Sequence, residues 1–277
     1  MSYLVIQGLE VETPDLKAIA KLSGAARIEG IGHQAFHLHE YKTQDGVAEY
    51  CANAKLDFAF VPHPRPLSNF RLLVMDMDST LIAIETIDEL ADLVGRKAEV
   101  AAVTAQAMRG EIEYDESLKR RVAVLKGLDE SALDRLYTER VKLSPGAARM
   151  IAGVTRAGLK TLLVSGGFTH VTGRLKTQLG LDYVRANTLV VKNGKFTGEL
   201  EGRIVNADVK REALLEARDE LRVTKDQIIA MGDGANDLKF MGEAGVSVAY
   251  HAKPVVRGKA TYCFDYVGLD GLLNLYA

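Results

Sequence analysis

The sequence lacks three features that would place it in other protein classes: an excess of charge of one sign, paired cysteines and a long hydrophobic run. Its 35 basic and 37 acidic residues leave a formal net charge of −2, so no overall field favours nucleic acid or an anionic membrane. Cys51 and Cys263 lack metal-ligand spacing, which argues against a disulfide scaffold or zinc site and is typical of a reducing compartment. No stretch approaches the roughly 18 apolar residues of a membrane span, and no signal peptide is evident. We therefore expect a cytoplasmic protein without nucleic-acid or membrane partners.

The 277 residues suffice for one large α/β domain with an extra module, or for two ordinary domains. Residues 1–69 are predicted to form a small α+β module, with strands at 3–7 and 34–39 and a helix at 14–22. Three alternating prolines in 61–66 favour an extended connector. We therefore place the domain boundary there, with a second domain over 70–277.

Three apolar runs in the second domain, at 71–75, 160–164 and 227–231, have the composition of strands that are buried on both faces. The last two runs follow helical patterns at 147–157 and 209–221. Alternating strands and helices predict an α/β fold with a doubly wound, Rossmann-like parallel sheet. Ligands of such sheets bind at the carboxyl ends of the strands.

A long segment, approximately 85–142, follows the first of these strands and has helical periodicity without a convincing strand. It is too long for a simple crossover helix. We predict a helical cap inserted after the first core strand, which would shield a site at the strand ends from bulk water.

Two carboxylates, Asp76 and Asp78, directly follow the first apolar run. In extended backbone their side chains point the same way, and such a pair needs a proton or a hard cation such as Mg²⁺. With the metal bound, one carboxylate can attack phosphorus while the other donates a proton to the leaving alcohol. Taken alone, the pair is more simply a solvated turn or a helix cap.

Two further motifs follow the other apolar runs. Ser165 precedes Gly166 and Gly167, and a hydroxyl with freed backbone N–H groups can cradle phosphate, although a plain glycine-rich turn is the simpler explanation. The segment 232–237 carries carboxylate and amide groups that suit a divalent ion, or simply cap a helix. Lys210, in a helical segment, would by itself be an ordinary exposed lysine. Together with Asp76 and Asp78, the motifs at 165–167 and 232–237 make three clusters at three predicted strand ends, which indicates one site.

The ordered set resembles the haloacid dehalogenase-like phosphatases and, within them, the phosphoserine phosphatases. The DxDxT motif is represented by 76–80, the following Ser or Thr by Ser165, the Lys by Lys210 and the GDxxND motif by 232–237. The segments 81–89 and 117–122 are also similar to those of phosphoserine phosphatases. The motifs extend over roughly the last two hundred residues.

The resemblance implies a role for each residue of these motifs. Asp76 would be the nucleophile and a Mg²⁺ ligand, and Asp78 the general acid and base, with its carbonyl on the metal. Asp233 would complete the protein ligands, with Asp237 in the outer shell. The remaining roles are phosphate binding by Ser165, Gly166 and Asn236, and charge neutralisation by Lys210.

The same resemblance implies how the amino-acid part of the substrate would be bound. Glu85 would accept the ammonium group and Arg121 would bind the carboxylate, although a helix-terminal acid and a solvated helix face are the simpler readings of these residues. Met108 and Tyr114 would line the pocket, and Tyr114 stands where the family often has Phe. The implied reaction is Mg²⁺-dependent hydrolysis of O-phospho-L-serine through an aspartyl-phosphate, the last step of L-serine biosynthesis.

Two alternatives remain open at this stage. The first is a phosphatase or phosphotransferase acting on another small phosphomonoester, and the second is a non-catalytic, amino-acid-binding regulatory protein. The segment 1–69 is similar to a short or degenerate ACT-type module, with a hypothetical effector-binding or dimerising role, so a homodimer is an open possibility.

Overall fold

The computed structural model describes residues 2–276, in which no helix has both the length and the apolar character needed to cross a membrane. The chain forms two compact units. The first unit consists of the residues up to Leu73, Ser144–Lys160 and the residues from Val223 onward. The second unit consists of Val74–Leu143 and Thr161–Arg222.

The secondary structure alternates between strands and helices over most of the chain. The strands are β1 (Tyr3–Gln7), β2 (Arg27–Gly32), β3 (Ala35–His39), β4 (Asp57–Val61), β5 (Leu72–Met75), β6 (Lys160–Phe168), β7 (Tyr183–Lys192), β8 (Lys195–Glu201), β9 (Ile228–Gly232), β10 (Val246–Tyr250) and β11 (Tyr262–Phe264). The helices are α1 (Thr13–Ser23), α2 (Val47–Ala54), α3 (Thr86–Leu93), α4 (Lys97–Met108), α5 (Tyr114–Val124), α6 (Ala132–Arg135), α7 (Ala147–Arg156), α8 (Thr169–Leu179), α9 (Ala207–Leu221), α10 (Leu238–Met241), α11 (Pro254–Arg257) and α12 (Gly271–Asn274).

The N-terminal segment forms a four-stranded antiparallel sheet with the order β2-β3-β1-β4. Its core contains Leu4 and Ile6 of β1, Leu38 of β3, and Ile19 and Cys51 of the two helices. The predicted strands at 3–7 and 34–39 and the predicted helix at 14–22 are confirmed by β1, β3 and α1. β2 was not predicted, because its exposed residues include two glycines and show no alternation of apolar and polar side chains.

Side chains of this small sheet are bonded to the C-terminal segment of the same unit. The Asp57 carboxylate accepts hydrogen bonds from the backbone N–H groups of residues 265, 266 and 267 at 2.8 to 2.9 Å. The Tyr3 hydroxyl donates to the carbonyl of Leu275 at 2.7 Å, and Nε2 of His37 bonds to the carbonyl of Asn274 at 2.8 Å. The first unit therefore combines the two ends of the chain, while the predicted domain boundary near residue 69 stays a prediction.

A seven-stranded sheet has the order β11-β10-β9-β5-β6-β7-β8. The pairs β9/β10, β10/β11 and β6/β7 are parallel, whereas β7 and β8 pair antiparallel. The antiparallel hairpin, which was not predicted, turns through Asn193 and Gly194, both with positive φ, as a tight two-residue hairpin loop requires. The predicted α/β fold with a mostly parallel sheet is confirmed.

The apolar runs at 71–75, 160–164 and 227–231 are strands β5, β6 and β9. β6 continues four residues further than predicted, to Phe168, so the Ser-Gly-Gly motif belongs to the strand itself. The predicted cap is helical: α3 to α6 and a further helical turn at Leu136–Arg140 follow β5, and the segment contains no strand.

Candidate active site

Asp76 and Lys210 form a buried ion pair in the second unit. Asp76 directly follows β5, whose four residues are all buried, and is itself 5% exposed. Lys210 is 1% exposed, and its Nζ lies 2.7 Å from Oδ1 of Asp76. Burying a charge is costly unless it is paired, so each residue makes the other tolerable here. Lys210 is therefore not the ordinary surface lysine that its helix alone would suggest.

The N-terminus of α9 positions Lys210. The side chain of Asn206 accepts hydrogen bonds from the N–H groups of Asp208 and Val209, both at 3.1 Å, and so caps the helix. Nδ2 of Asn206 donates to the Asp115 carboxylate on α5 at 3.1 and 3.2 Å. Asn206 was missed from the sequence, although an Asn before a helical pattern is a recognisable N-cap signal.

Asp78 lies in an irregular turn after β5 and provides a shielded carboxyl group. Its Oδ2 accepts a hydrogen bond from Oγ1 of Thr86 at 3.0 Å, whereas its Oδ1 is buried without a partner among residues 2–276. Burial, and then the negative charge of Glu85, raise the pKa of Asp78 well above its usual value of 3.8. Asp78 is therefore suited to carry a proton that it can donate. Thr86 was not singled out from the sequence.

Glu85 is held by a serine within the same turn. Ser79 has a left-handed backbone, with φ of 54°, and its Oγ donates a hydrogen bond to Oε1 of Glu85 at 2.7 Å. The Ser79 N–H donates to the carbonyl of Ile84 at 3.1 Å. The turn thus places the exposed Glu85 carboxylate on the same short loop as Asp78.

The Ser-Gly-Gly segment of β6 passes close to these groups. Ser165 is fully buried, and its Oγ accepts a hydrogen bond from the N–H of Gly167 at 2.8 Å. A Cβ at Gly167 would lie 2.6 Å from Cε of Met77 and 3.0 Å from Oδ2 of Asp78. A Cβ at Gly166 would overlap the hydroxyl of Tyr114. Both glycines are needed for this close approach.

Asn187, a residue missed from the sequence, supports the Ser-Gly-Gly segment. It is 2% exposed, and its Nδ2 donates to the carbonyl of Gly166 at 2.8 Å. Its Oδ1 accepts from the N–H of Val205 at 2.9 Å. An isolated Asn within a strand gives no sequence signal for such a bridge.

The remaining predicted residues of the cap differ in position. Tyr114 has its hydroxyl beside Gly166, and burial raises the pKa of Tyr114 to about 12, which keeps it protonated at neutral pH. Arg121 is half-buried, and its Nε donates to the carbonyl of Ser117 at 3.4 Å. Met108 is 77% exposed at the end of α4, so the structure does not bring its side chain to the others. Its predicted place in the pocket stays a prediction.

The last motif forms a turn after β9 in the first unit. Asp237 is fully buried, and its Oδ2 accepts hydrogen bonds from the N–H groups of Asp233 at 3.1 Å and Gly234 at 3.0 Å. A Cβ at Gly232 would lie 2.6 Å from the same Oδ2, which explains the glycine before Asp233. Asn236 is half-buried.

Aspartates of the predicted metal site are present in both units: Asp76 in the second, and Asp233 and Asp237 in the first. All three offer carboxylate oxygens, which hard cations such as Mg²⁺ prefer over nitrogen or sulfur donors. The donor set therefore fits Mg²⁺.

Comparison with known families agrees with this arrangement. A family model described as haloacid dehalogenase-like hydrolase matches residues 73–242, and a domain of unknown function, DUF4072, matches residues 4–45. The chain belongs to the haloacid dehalogenase-like hydrolase family. The DxDxT, Ser, Lys and GDxxND positions of this hydrolase all lie within the matched range, whereas β1 to β4 lie outside it.

The relatives of this hydrolase include phosphoserine phosphatases. A phosphoserine phosphatase from Polaromonas sp. strain JS666 is 54% identical over 214 residues, covering 76% of this chain and 91% of the relative. The crystal structure of a probable phosphoserine phosphatase from Vibrio cholerae is 35% identical with a TM-score of 0.88, covering 99% of this chain and 86% of that one. A structure described as a phospho-aspartyl intermediate analogue of phosphoserine phosphatase is 36% identical with a TM-score of 0.70, covering 75% and 99%. The predicted similarity to phosphoserine phosphatases is confirmed.

Proposed function

We propose that this hydrolase cleaves O-phospho-L-serine to L-serine and phosphate, the last step of L-serine biosynthesis. The observation that carries the proposal is the buried ion pair of Asp76 and Lys210, in which Oδ1 and Nζ lie 2.7 Å apart. Asp78, with its shielded carboxyl group, follows Asp76 by two residues. The two aspartates have different environments: the ion pair with Lys210 suits Asp76 to act as a charged nucleophile, and burial suits Asp78 to act as an acid. The relatives support the proposal, because one is named a phosphoserine phosphatase and another a probable phosphoserine phosphatase.

The proposed chemistry has two steps. A carboxylate oxygen of Asp76 bonds to phosphorus as the bond to the serine oxygen breaks, and Asp78 gives its proton to that oxygen. Asp78, now a carboxylate, then takes a proton from water, which attacks phosphorus and releases phosphate from Asp76. The raised pKa of Asp78 supports the first step, because burial and the nearby charge of Glu85 favour the protonated form of this carboxyl group.

The phosphoryl oxygens would be bound by the Ser-Gly-Gly segment of β6, which can come close to them because Gly166 and Gly167 have no side chains. Oγ of Ser165 and the N–H of Gly166 would donate to them, and Nζ of Lys210 would offset the charge that grows in the transition state. Asn236 would add an amide contact. Mg²⁺, when bound by Asp76, Asp233 and the carbonyl of Asp78, with Asp237 behind them, supplies positive charge for the phosphoryl group.

The amino-acid part of the substrate requires one anion and one cation. Glu85, oriented by Ser79 at 2.7 Å, would accept the ammonium group. Arg121 would bind the carboxylate, since its guanidinium can form two parallel hydrogen bonds. Tyr114, whose hydroxyl lies beside Gly166, would form part of the pocket wall, whereas a place for the exposed Met108 there stays a prediction.

A substrate panel tests the proposal. Phosphate release is measured with O-phospho-L-serine, O-phospho-L-threonine, phosphoethanolamine, 3-phosphoglycerate and glucose 6-phosphate, with Mg²⁺ and with EDTA. We expect phosphoserine to have the highest kcat/KM, and EDTA to remove turnover. Equal kcat/KM for the sugar phosphate would contradict the substrate assignment, and activity that survives EDTA would contradict the metal.

Two variants separate recognition from chemistry. Because Glu85→Gln and Arg121→Met each remove one charge-assisted contact, we expect each to lower kcat/KM for phosphoserine by about tenfold or more. Lys119→Met, an exposed neighbour on α5, is the matched control for Arg121. Phosphoethanolamine lacks the carboxylate, so Arg121→Met should leave its hydrolysis unchanged. An equal loss with both substrates would show that Arg121 acts through the fold.

The proposal includes a small phosphomonoester as the partner of this chain. A homodimer, a cytoplasmic location, the absence of nucleic-acid and membrane partners, and an ACT-like role of residues 1–69 stay predictions.

A further inference from the structure

The hydroxyl of Tyr114 lies at the Ser-Gly-Gly segment of β6 without a partner in the chain. A Cβ at Gly166 would overlap this hydroxyl, so its oxygen takes the place that a side chain of residue 166 would occupy. Within residues 2–276 the hydroxyl neither donates a hydrogen bond to another residue nor accepts one. A phenylalanine would form the same wall of a pocket, so the position of the oxygen requires a separate explanation.

The oxygen of this hydroxyl has accessible surface. Tyr114 is partly exposed. The buried polar atoms that lack a partner include Nε2 of Gln7 and Oδ1 of Asp78, but not the hydroxyl oxygen of Tyr114. Burial of the ring raises the pKa of Tyr114 to about 12, so the hydroxyl keeps its proton at neutral pH and can donate it to a ligand oxygen.

The backbone at Tyr114 is bonded to the helix that carries Lys210. Tyr114 is the first residue of α5, and the carboxylate of the next residue, Asp115, accepts from Nδ2 of Asn206 at 3.1 and 3.2 Å. Asn206 also caps α9, which contains Lys210. The starts of α5 and α9 are therefore held together within the second unit.

Two positions in the proposed site could use this donor: the phosphoryl group, near Gly166 and Lys210, and the substrate carboxylate, near Arg121. The contact with Gly166 favours the phosphoryl group, because the N–H of Gly166 is proposed to bind a phosphoryl oxygen. The charges agree with this choice. After burial, the positive charge of Lys210 acts on the pKa of Tyr114 more than that of Arg121 does, and both lower it.

We propose that the hydroxyl of Tyr114 binds the phosphoryl group of the substrate, by donating a hydrogen bond to an oxygen beside the N–H of Gly166. The inference rests on the proposed phosphatase reaction and adds one donor to Ser165, Gly166 and Lys210. A phosphoryl oxygen is negatively charged, so the bond is stronger than one between neutral groups. Because the contact is with the phosphoryl group, its contribution is the same for every phosphomonoester.

Tyr114→Phe removes the hydroxyl and keeps the ring. We expect kcat/KM for phosphoserine and for phosphoethanolamine to fall by the same factor, about tenfold or more. Thermal unfolding should be unchanged, since the hydroxyl bonds to no other residue within residues 2–276. Tyr137→Phe is the matched control, because its hydroxyl already donates to Gln178 at 2.5 Å, and it should keep the kcat/KM of the wild type.

Two kinetic results would overturn the inference. Unchanged kcat/KM with both substrates in Tyr114→Phe would show that only the ring is used. A loss confined to phosphoserine would assign the hydroxyl to the substrate carboxylate, which phosphoethanolamine lacks.

Binding of inorganic phosphate tests the contact without turnover. Isothermal titration calorimetry of the full chain with Mg²⁺ gives the Kd of phosphate, which we expect to rise by about tenfold or more in Tyr114→Phe and to stay unchanged in Tyr137→Phe. If the wild type fails to hydrolyse phosphoserine but Tyr114→Phe still weakens phosphate binding, the proposed function is wrong and the phosphoryl contact stands. Equal phosphate affinity in the wild type and Tyr114→Phe, or no phosphate binding to the wild type, would refute the contact.

Discussion

The N-terminal sheet and the loops around Asp76 both bury polar side chains, but they leave them in different states. Asp57 of the sheet accepts three backbone hydrogen bonds, and His37 is bonded to a carbonyl and stacked on Tyr3 at 3.9 Å. Asp78 instead keeps one carboxyl oxygen buried without a partner among residues 2–276. A completed set of hydrogen bonds stabilises the fold, whereas an incomplete one leaves bonding capacity for a ligand. Gln7 is the exception within the sheet, since its Nε2 is buried without a hydrogen-bond partner among residues 2–276.

The largest expected effect comes from Asp76→Asn, which tests the catalytic side of the comparison. The amide has nearly the same shape as the carboxylate but is a very poor nucleophile, so we expect kcat for phosphoserine to fall by at least about a thousandfold. Phosphate release measures the loss, and circular dichroism and thermal unfolding check the fold. Substantial steady-state activity in a folded variant would mean that Asp76 is not the nucleophile.

Asp57→Ala tests the structural side. It leaves the N–H groups of residues 265, 266 and 267 without their acceptor, so we expect the free energy of unfolding to fall by about 3 kcal/mol. The value of kcat for the folded enzyme should stay unchanged. Urea unfolding followed by circular dichroism measures the effect, with the exposed Asp45→Ala as the control. A loss of kcat without a loss of stability would reverse the roles of the two regions.

Thr86→Val tests whether the hydrogen bond from Thr86 orients the carboxyl group of Asp78 for catalysis. The variant keeps the shape of the side chain but removes the hydroxyl that donates to Oδ2 of Asp78 at 3.0 Å. We expect kcat to fall by up to about tenfold, with little change in KM, because the acid loses its orientation. Steady-state kinetics with phosphoserine provide both values. A change confined to KM would indicate that Thr86 affects substrate binding and not the acid.

The smallest effect concerns His37 and pH. Burial lowers the pKa of His37 below its usual 6.5, despite the bond to the carbonyl of Asn274. Below about pH 6.5 the unfolded chain therefore binds a proton that the folded state does not, so stability falls as the pH decreases through this window. We expect the unfolding free energy of wild type to decrease more between pH 7 and 5.5 than that of His37→Gln. The exposed His33→Gln should behave like wild type.

The sequence predicted those parts of the site that depend on local order. The runs before Asp76 and Asp233 are apolar from Leu72 and from Ile228 onward, which is the pattern of strands buried on both faces, and the charged residues that follow them could be identified without coordinates. β2, β8 and the hairpin at Asn193 were missed, because short exposed strands have weak patterns and depend on their pairing partners. Thr86 and Asn187 were also missed, since a single Thr or Asn has no periodic pattern to mark it.

The amino-acid sequence by itself determined the family, the mostly parallel α/β sheet and the order of the catalytic motifs, because buried strands and glycine-rich turns are encoded by neighbouring residues. Only the tertiary structure decided the protonation and pairing of the side chains: that Lys210 is buried against Asp76, that Asp78 is shielded, and that Gln7 keeps an unsatisfied donor. The physical reason is that burial and electrostatic shifts depend on residues that are distant in the chain, such as positions 76 and 210, and no local pattern records those distances.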